Sequence, residues 1–244
     1  MLGITTTIYL RCLLVHAEGE NCMATYPSDA QYIWNFLSTV IGNDYGVAGL
    51  MGNMYAESGL LSFRLQGDDD SANNYPRSHQ YTNDVDDGTI SRNQFCTDSK
   101  GYGLCQWTIQ YRKTNMYDFI QPSTQGNSIS DLFAQLQFLM RELEGDYPQS
   151  DYRDVLDVLE NASGSTPEDA IKLASDKVLT DFENPAVQTE AVKRQRANYS
   201  IDIYNTFSGQ PPVPPIPPIP PSKRGSMPLY FYTLKKFKQR KGLI

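Results

Sequence analysis

Residues 44–59 read D-Y-G-V-A-G-L-M-G-N-M-Y-A-E-S-G, and the rest of the chain is organised around them. Val47, Leu50, Met51 and Met54 recur at i, i+3, i+4 and i+7, which predicts an amphipathic helix with Asp44 as N-cap and Gly59 just past its C-terminus. Glycines stand at positions 46, 49 and 52 inside it. Each costs about 1 kcal/mol against alanine in a helix interior, so their repetition implies neighbours packed too close for a Cβ. The helix is therefore expected at the centre of the fold.

Glu57 falls beside Leu50 on a 100° wheel, at the edge of the apolar stripe. An acid aimed at the core is disfavoured as a carboxylate, so its pKa is expected to rise, which suits a general acid. The plain alternative is a structural acid that caps a neighbouring helix or pairs with an arginine such as Arg112. This helix alone favours the plain alternative.

Upstream, Ser28 followed by Gln31 predicts a capping box, and Ile33, Phe36, Leu37, Val40 and Ile41 stripe a helix that ends at Gly42. Downstream the helical period disappears between Leu60 and Lys100, where Asp68, Asp69 and Asp70 adjoin and Y-T-N-D-V-D-D-G-T-I-S runs from 81 to 91. Turn-forming composition there predicts a small irregular β region. Gly101-Tyr102-Gly103-Leu104-Cys105-Gln106-Trp107-Thr108 then offers aromatic faces beside an amide, which suits sugar rings as well as it suits a core turn.

The remainder reads as helices: Ile109 to Ile120, a stripe of Leu132, Leu136, Leu139, Met140 and Leu143, and a shorter one through Tyr152, Val155, Leu156 and Leu159. Thr166-Pro167-Glu168-Asp169 caps a helix running through Phe182, and Asn184-Pro185 is expected to open the last one toward Tyr204. The fold class is thus α+β and mainly α.

Composition narrows the chemistry. At 244 residues, 40% hydrophobic and 11% aromatic, the chain suits a globular protein. Its net charge of −7 hides an asymmetry: residues 222–244 hold seven Lys or Arg and no acid, leaving 14 basic against 28 acidic residues before them. An acidic body argues against nucleic acid as substrate. Cys12, Cys22, Cys96 and Cys105 with His16 and His79 make no metal spacing, so zinc or Cys-His chemistry is not expected, and no metal or cofactor is required, although the acid-rich loop could hold calcium. Bridges 12/22 and 96/105 are feasible outside a cell, but free thiols are the expected state. No run reaches membrane-span length, and Arg11 interrupts the apolar start.

Residues 1–27 are read as an N-terminal arm and 28–210 as the folded domain. Pro211 to Pro221, with eight prolines in eleven residues, is a spacer of roughly 34 Å if it is a polyproline helix. Residues 222–244 mix basic with aromatic side chains and suit an anionic surface or a protein partner.

Taken together, Gly46 to Gly59, Y-T-x-x-V-D-x-G-T at Tyr81 to Thr89, Gly101 to Thr108 followed by Arg112-Lys113, and Phe182-Glu183-Asn184-Pro185 occur in an order that resembles the phage tail-tip lysozyme family. The resemblance covers roughly residues 30–206. It implies a lysozyme-like fold and hydrolysis of the β-1,4 bond between N-acetylmuramic acid and N-acetylglucosamine in peptidoglycan. By position Glu57 matches the lysozyme acid that protonates the leaving oxygen. Asp86 is the first choice for a second carboxylate, with Asp84 and Asp87 behind it, while Asp68 to Asp70 are read as a hydrated loop. Tyr102, Gln106 and Trp107 are assigned to the sugar-binding wall, and Arg112 to holding it or a peptidoglycan carboxylate. The protein would act from a phage tail on the host wall, with tail proteins as partners through linker and basic tail. A free endolysin and a non-catalytic tail-tip plug or glycan-binding module are the alternatives.

Overall fold

The computed structural model describes residues 26–124 and 128–210. The arm up to residue 25, the proline spacer and the basic tail lie outside the described residues.

Nine α-helices are described: α1 (Ala30–Ile41), α2 (Asp44–Ser58), α3 (Pro76–Asp86), α4 (Arg92–Thr97), α5 (Gln110–Thr124), α6 (Leu132–Leu143), α7 (Arg153–Glu160), α8 (Pro167–Lys177) and α9 (Glu190–Phe207). Helix α2 is the axis, packed against α1, α7, α8 and α9. Its three glycines face three different helices. A Cβ on Gly46 would lie 1.9 Å from the Leu159 carbonyl oxygen of α7, one on Gly49 2.6 Å from the Ala174 methyl of α8, and one on Gly52 2.0 Å from Ser200 Oγ of α9. Val47, Leu50, Met51 and Met54 fill the rest of the contact with no exposed surface.

Helix ends follow side-chain chemistry, with shifts from the expected residues. Asn43 rather than Asp44 caps α2, its Oδ1 accepting from the Tyr45 and Gly46 amides, while Gly59 closes the helix at φ 68° as expected. The capping box at Ser28 is not formed: α1 starts after Asp29 without a side-chain cap, and Gln31 instead donates to Asn35. Thr166 caps α8 through the Asp169 amide, with Pro167 in the first turn. Asn184-Pro185 does not open the last helix, which begins at Glu190 behind Thr189. Asn184 instead closes α8, whose final turn, Val178–Glu183, is π-helical.

The irregular β region is replaced by helices. Residues 71–73 form a 3₁₀ turn, and 76–86 and 92–97 are α3 and α4. Among the described residues the β structure amounts to isolated bridges, Leu65 with Tyr102, Tyr102 with Trp107 and Tyr147 with Ser150. In α3, Ser78, Tyr81, Thr82 and Val85 are buried, spaced as a helix requires and hidden among polar neighbours in the sequence. Cys96 and Cys105 are free and buried; Cys12 and Cys22 lie outside the described residues.

Candidate active site

Glu57 sits in the last turn of α2, where two depressions meet. One, of about 380 Å³, is lined by Glu57, Arg64, Gln66, Asp69, Gln106 and Glu183 among others. The second, of about 320 Å³, is lined by Tyr55, Glu57, Arg64, Tyr75, Arg196 and Tyr199 among others. Glu57 and Arg64 belong to both, so the two form one polar groove with Glu57 at its middle.

Three contacts fix that middle. Ser58 Oγ donates to the Leu104 carbonyl at 2.8 Å, tying the end of α2 to the 101–108 loop. Gln106, at φ 46°, turns its amide under Arg64 and donates to the Arg64 carbonyl at 3.0 Å. Gln135, fully buried in α6, donates to the Ser62 and Ile129 carbonyls and accepts from the Leu104 amide. Tyr75, Gln106 and Asn184 all hold positive φ around this groove. Residues kept in sparsely populated backbone regions need surroundings that over-determine them, and such residues cluster at functional sites.

Glu57 is not aimed into the apolar core. Its side chain is 22% exposed, and Arg196 of α9 donates to Glu57 Oε1 at 2.5 Å and to the Asn53 carbonyl at 2.9 Å. An arginine partner was the plain alternative, but the arginine is 139 residues away rather than Arg112. Arg112 is itself buried and forms a bidentate pair with Glu142, at 2.8 and 2.9 Å. It also donates to the Phe182 carbonyl at 3.3 Å, so it braces the turn that carries Glu183. Neighbouring Lys113 is fully buried and pairs with Asp98.

Two of the residues assigned to a sugar wall cannot touch a sugar. Tyr102 and Trp107 have 0% exposure, since the bridges that fold the 101–108 loop turn both rings inward. Trp107 Nε1 donates to Glu142 Oε2 at 2.7 Å, and Tyr102 Oη bonds Thr82 at 2.6 Å. Gln106 does line the groove. The aromatic rings that line it are Tyr55, Tyr75 and Tyr199.

Asp86 is displaced as well. Helix α3 puts it on the solvent side, where it accepts from the Ile129 amide at 2.7 Å and from Gln121 at 3.1 Å, and it lines neither depression. Asp84 accepts from Gln80, and Asp87 from the Thr89 amide. The 68–70 acids are not one hydrated loop: Asp68 is buried, Asp69 pairs with Arg64 at 3.2 Å and lines the groove, and Asp70 caps the 3₁₀ turn. Burial alone would raise the Asp68 pKa, but hydrogen bonds from the Ser78 hydroxyl and amide outweigh it and hold that acid below its ordinary value.

Glu183, part of the Phe182-Glu183-Asn184-Pro185 stretch, is an acid of the groove that was not among the expected site residues. It ends the π-helical turn and lines the first depression beside Glu57. Its Oε1 is sealed from solvent and has no hydrogen-bond partner among the described residues. Desolvation, then the Glu57 charge, pushes its pKa well above the carboxylate range, against the opposing pull of Arg112 and Arg196. The only signal in the sequence was an acid between a core Phe and an Asn-Pro turn. Among the described residues no group of three or more His, Cys, Asp or Glu side chains is placed to hold a metal, and no helix is long and apolar enough to cross a membrane.

No curated protein and no solved structure matches the chain. Residues 28–207 match the profile of a family described as phage tail lysozyme, which spans both groove walls and every helix described above. The chain belongs to the phage tail lysozyme family.

Proposed function

We propose that the protein is a muramidase of a phage tail that cuts the β-1,4 bond between N-acetylmuramic acid and N-acetylglucosamine while the host wall is being penetrated. The observation that carries this reading is the polar groove that continues on both sides of Glu57. A glycan strand needs sites for sugars on either side of the cut, and a closed pocket would admit only an end.

In this reading Glu57 is the general acid, protonating the leaving oxygen as the sugar becomes oxocarbenium-like. Asp69, the exposed acid of the same groove, takes the water-side role first expected of Asp86. Gln66, Gln106 and Arg64 offer hydrogen bonds to hydroxyl and N-acetyl groups, and Tyr75 and Tyr199 offer ring faces to sugar C–H surfaces. Residues 211–244 tether the domain to other tail proteins or to the wall.

The test is release of reducing ends from purified peptidoglycan by the parent and by Glu57→Gln. Loss of a general acid costs about 10²- to 10⁴-fold, so the variant should fall to near background while keeping its fold. The Arg196–Glu57 ion pair favours one other reading, a glycan-binding module without turnover. Binding of peptidoglycan by the parent with no new reducing ends would establish that reading instead.

A further inference from the structure

We infer that Glu57 and Glu183 form a proton-sharing pair, in which Glu183 is a positioning residue that stores the proton Glu57 delivers. The inference rests on the muramidase reading for its purpose, but the pair itself stands on geometry. Both acids line the same depression, one from the last turn of α2 and the other from the π-helical end of α8. Single π-helical turns inside helices are often found at functional sites, because the extra residue re-aims the side chains around it.

The two acids are held differently. Glu57 is the carboxylate of an ion pair, bonded to Arg196. Glu183 has one oxygen sealed from solvent with no partner among the described residues. A sealed, unpartnered oxygen is costly on a carboxylate and far less costly on a neutral carboxyl. The charges facing Glu183 are Glu57 from α2, Arg196 from α9, Arg112 from α5, Glu142 from α6 and the Cys105 thiol from the 101–108 loop. Burial and the two glutamates push it toward the neutral form, the two arginines oppose them, and burial with the Glu57 charge prevails. Two acids lining one depression repel each other's charge, so it is less costly for one of them to hold a proton than for both to be ionised.

The proton inventory closes over one turnover. The proton passes from Glu183 through a water in the shared depression to Glu57 as the sugar displaces Arg196 from the glutamate. The C1–O bond breaks with its electron pair on the leaving oxygen, which takes the proton from Glu57. Water, oriented by Asp69, then adds its hydroxyl to C1, and its remaining proton is taken by Asp69 and returned through solvent to the carboxylate pair. One water is consumed and the pair ends with the single proton it began with.

The experiment uses the full chain as parent, Glu57→Gln and Glu183→Gln, with kcat/KM for reducing-end release followed from pH 4 to 9. Expected are an active parent, an inactive Glu57→Gln, and a Glu183→Gln variant whose alkaline limb lies at lower pH by about one unit or more, since Glu57 must then keep its own proton beside Arg196. An alkaline limb at the parent's position in a folded Glu183→Gln would overturn the pair. Carbon-13 carboxyl titration keeps the test open if that variant fails to fold or the parent proves inactive. One Glu carboxyl of the parent should titrate above the ordinary range and move down in Glu57→Gln. If no Glu carboxyl of the parent titrates above that range, or if it does not respond to Glu57→Gln, the pair is absent whatever the activity. An inactive parent with that titration present would instead refute the muramidase reading and leave the pair intact.

Discussion

At the scale of single residues, the groove separates acids by what their environment does to the charge. Asp69 is exposed, side chain 90% accessible, and tied to Arg64, so it stays available to solvent at the groove. Asp86 spends its oxygen on the Ile129 amide and lines neither of Glu57's depressions. Asp69→Asn should therefore cost about 10²-fold in turnover, and Asp86→Asn should stay within about twofold, as a surface substitution that keeps its hydrogen-bonding shape. Equal losses in a reducing-end assay would return the water-side role to α3. Glu183 carries a separate prediction for stability. Its folded pKa lies above its unfolded one, so the native state keeps a proton that the unfolded chain has lost, and stability drops as pH rises from the ordinary glutamate range through the raised value. Glu183→Gln removes that dependence. Its melting midpoint should gain on the parent as pH rises from 5 to 8, and a constant difference would mean that Glu183 is charged in the fold.

At the scale of elements, α2 was legible because its oddity had one cheap explanation. Three glycines in a helix lower its own stability, and the three close approaches to α7, α8 and α9 are what offset that loss. The clearest test is Gly52→Ala, where two effects oppose each other. Alanine favours the helix by about 1 kcal/mol. Its Cβ, however, would stand 2.0 Å from Ser200 Oγ and 2.6 Å from the Ser200 backbone nitrogen, and overpacking against backbone costs about 3 kcal/mol or more. The clash should win, lowering the melting midpoint by roughly 4 to 8 °C for a domain of this size; a rise would mean that α9 moves freely. The stripes of α1, α6 and α8 were legible for the ordinary reason that apolar residues recur at 3.6. Helices α3 and α4 were not, because Tyr81, Thr82 and Val85 are set among Asp, Asn, Ser and Gly that mimic turns. The site was legible only as far as local chain could carry it. Glu57 and Gln106 could be placed from their own stretches, whereas the Arg196–Glu57 and Arg112–Glu142 pairs join residues 139 and 30 positions apart. Trp107 and Tyr102 misled because a ring beside glycines looks the same whether the loop turns it outward or, as here, inward onto Glu142 and Thr82.

At the scale of the whole molecule, charge is divided as sharply as the fold. The chain before residue 222 carries 14 basic and 28 acidic residues, while residues 222–244 carry seven basic residues and no acid. If the substrate is an anionic wall, as proposed, the acidic body is repelled by it at low salt, and the basic segment beyond the eight prolines carries charge of the sign that offsets that repulsion. This makes a division of labour that truncation can test. Residues 26–210 alone should bind isolated cell walls more weakly than the full chain at about 20 mM salt, with the gap closing near 0.5 M, where the Debye length falls to roughly 4 Å. On short soluble glycan fragments, which present little of the wall's charge, the two should turn over within about twofold of each other, because the lining residues described for the groove all lie between Tyr55 and Tyr199. Equal wall binding by both at low salt would exclude the wall as the tail's target. The proposed partner for the basic segment would then be a protein of the tail, tested by the salt dependence of that association.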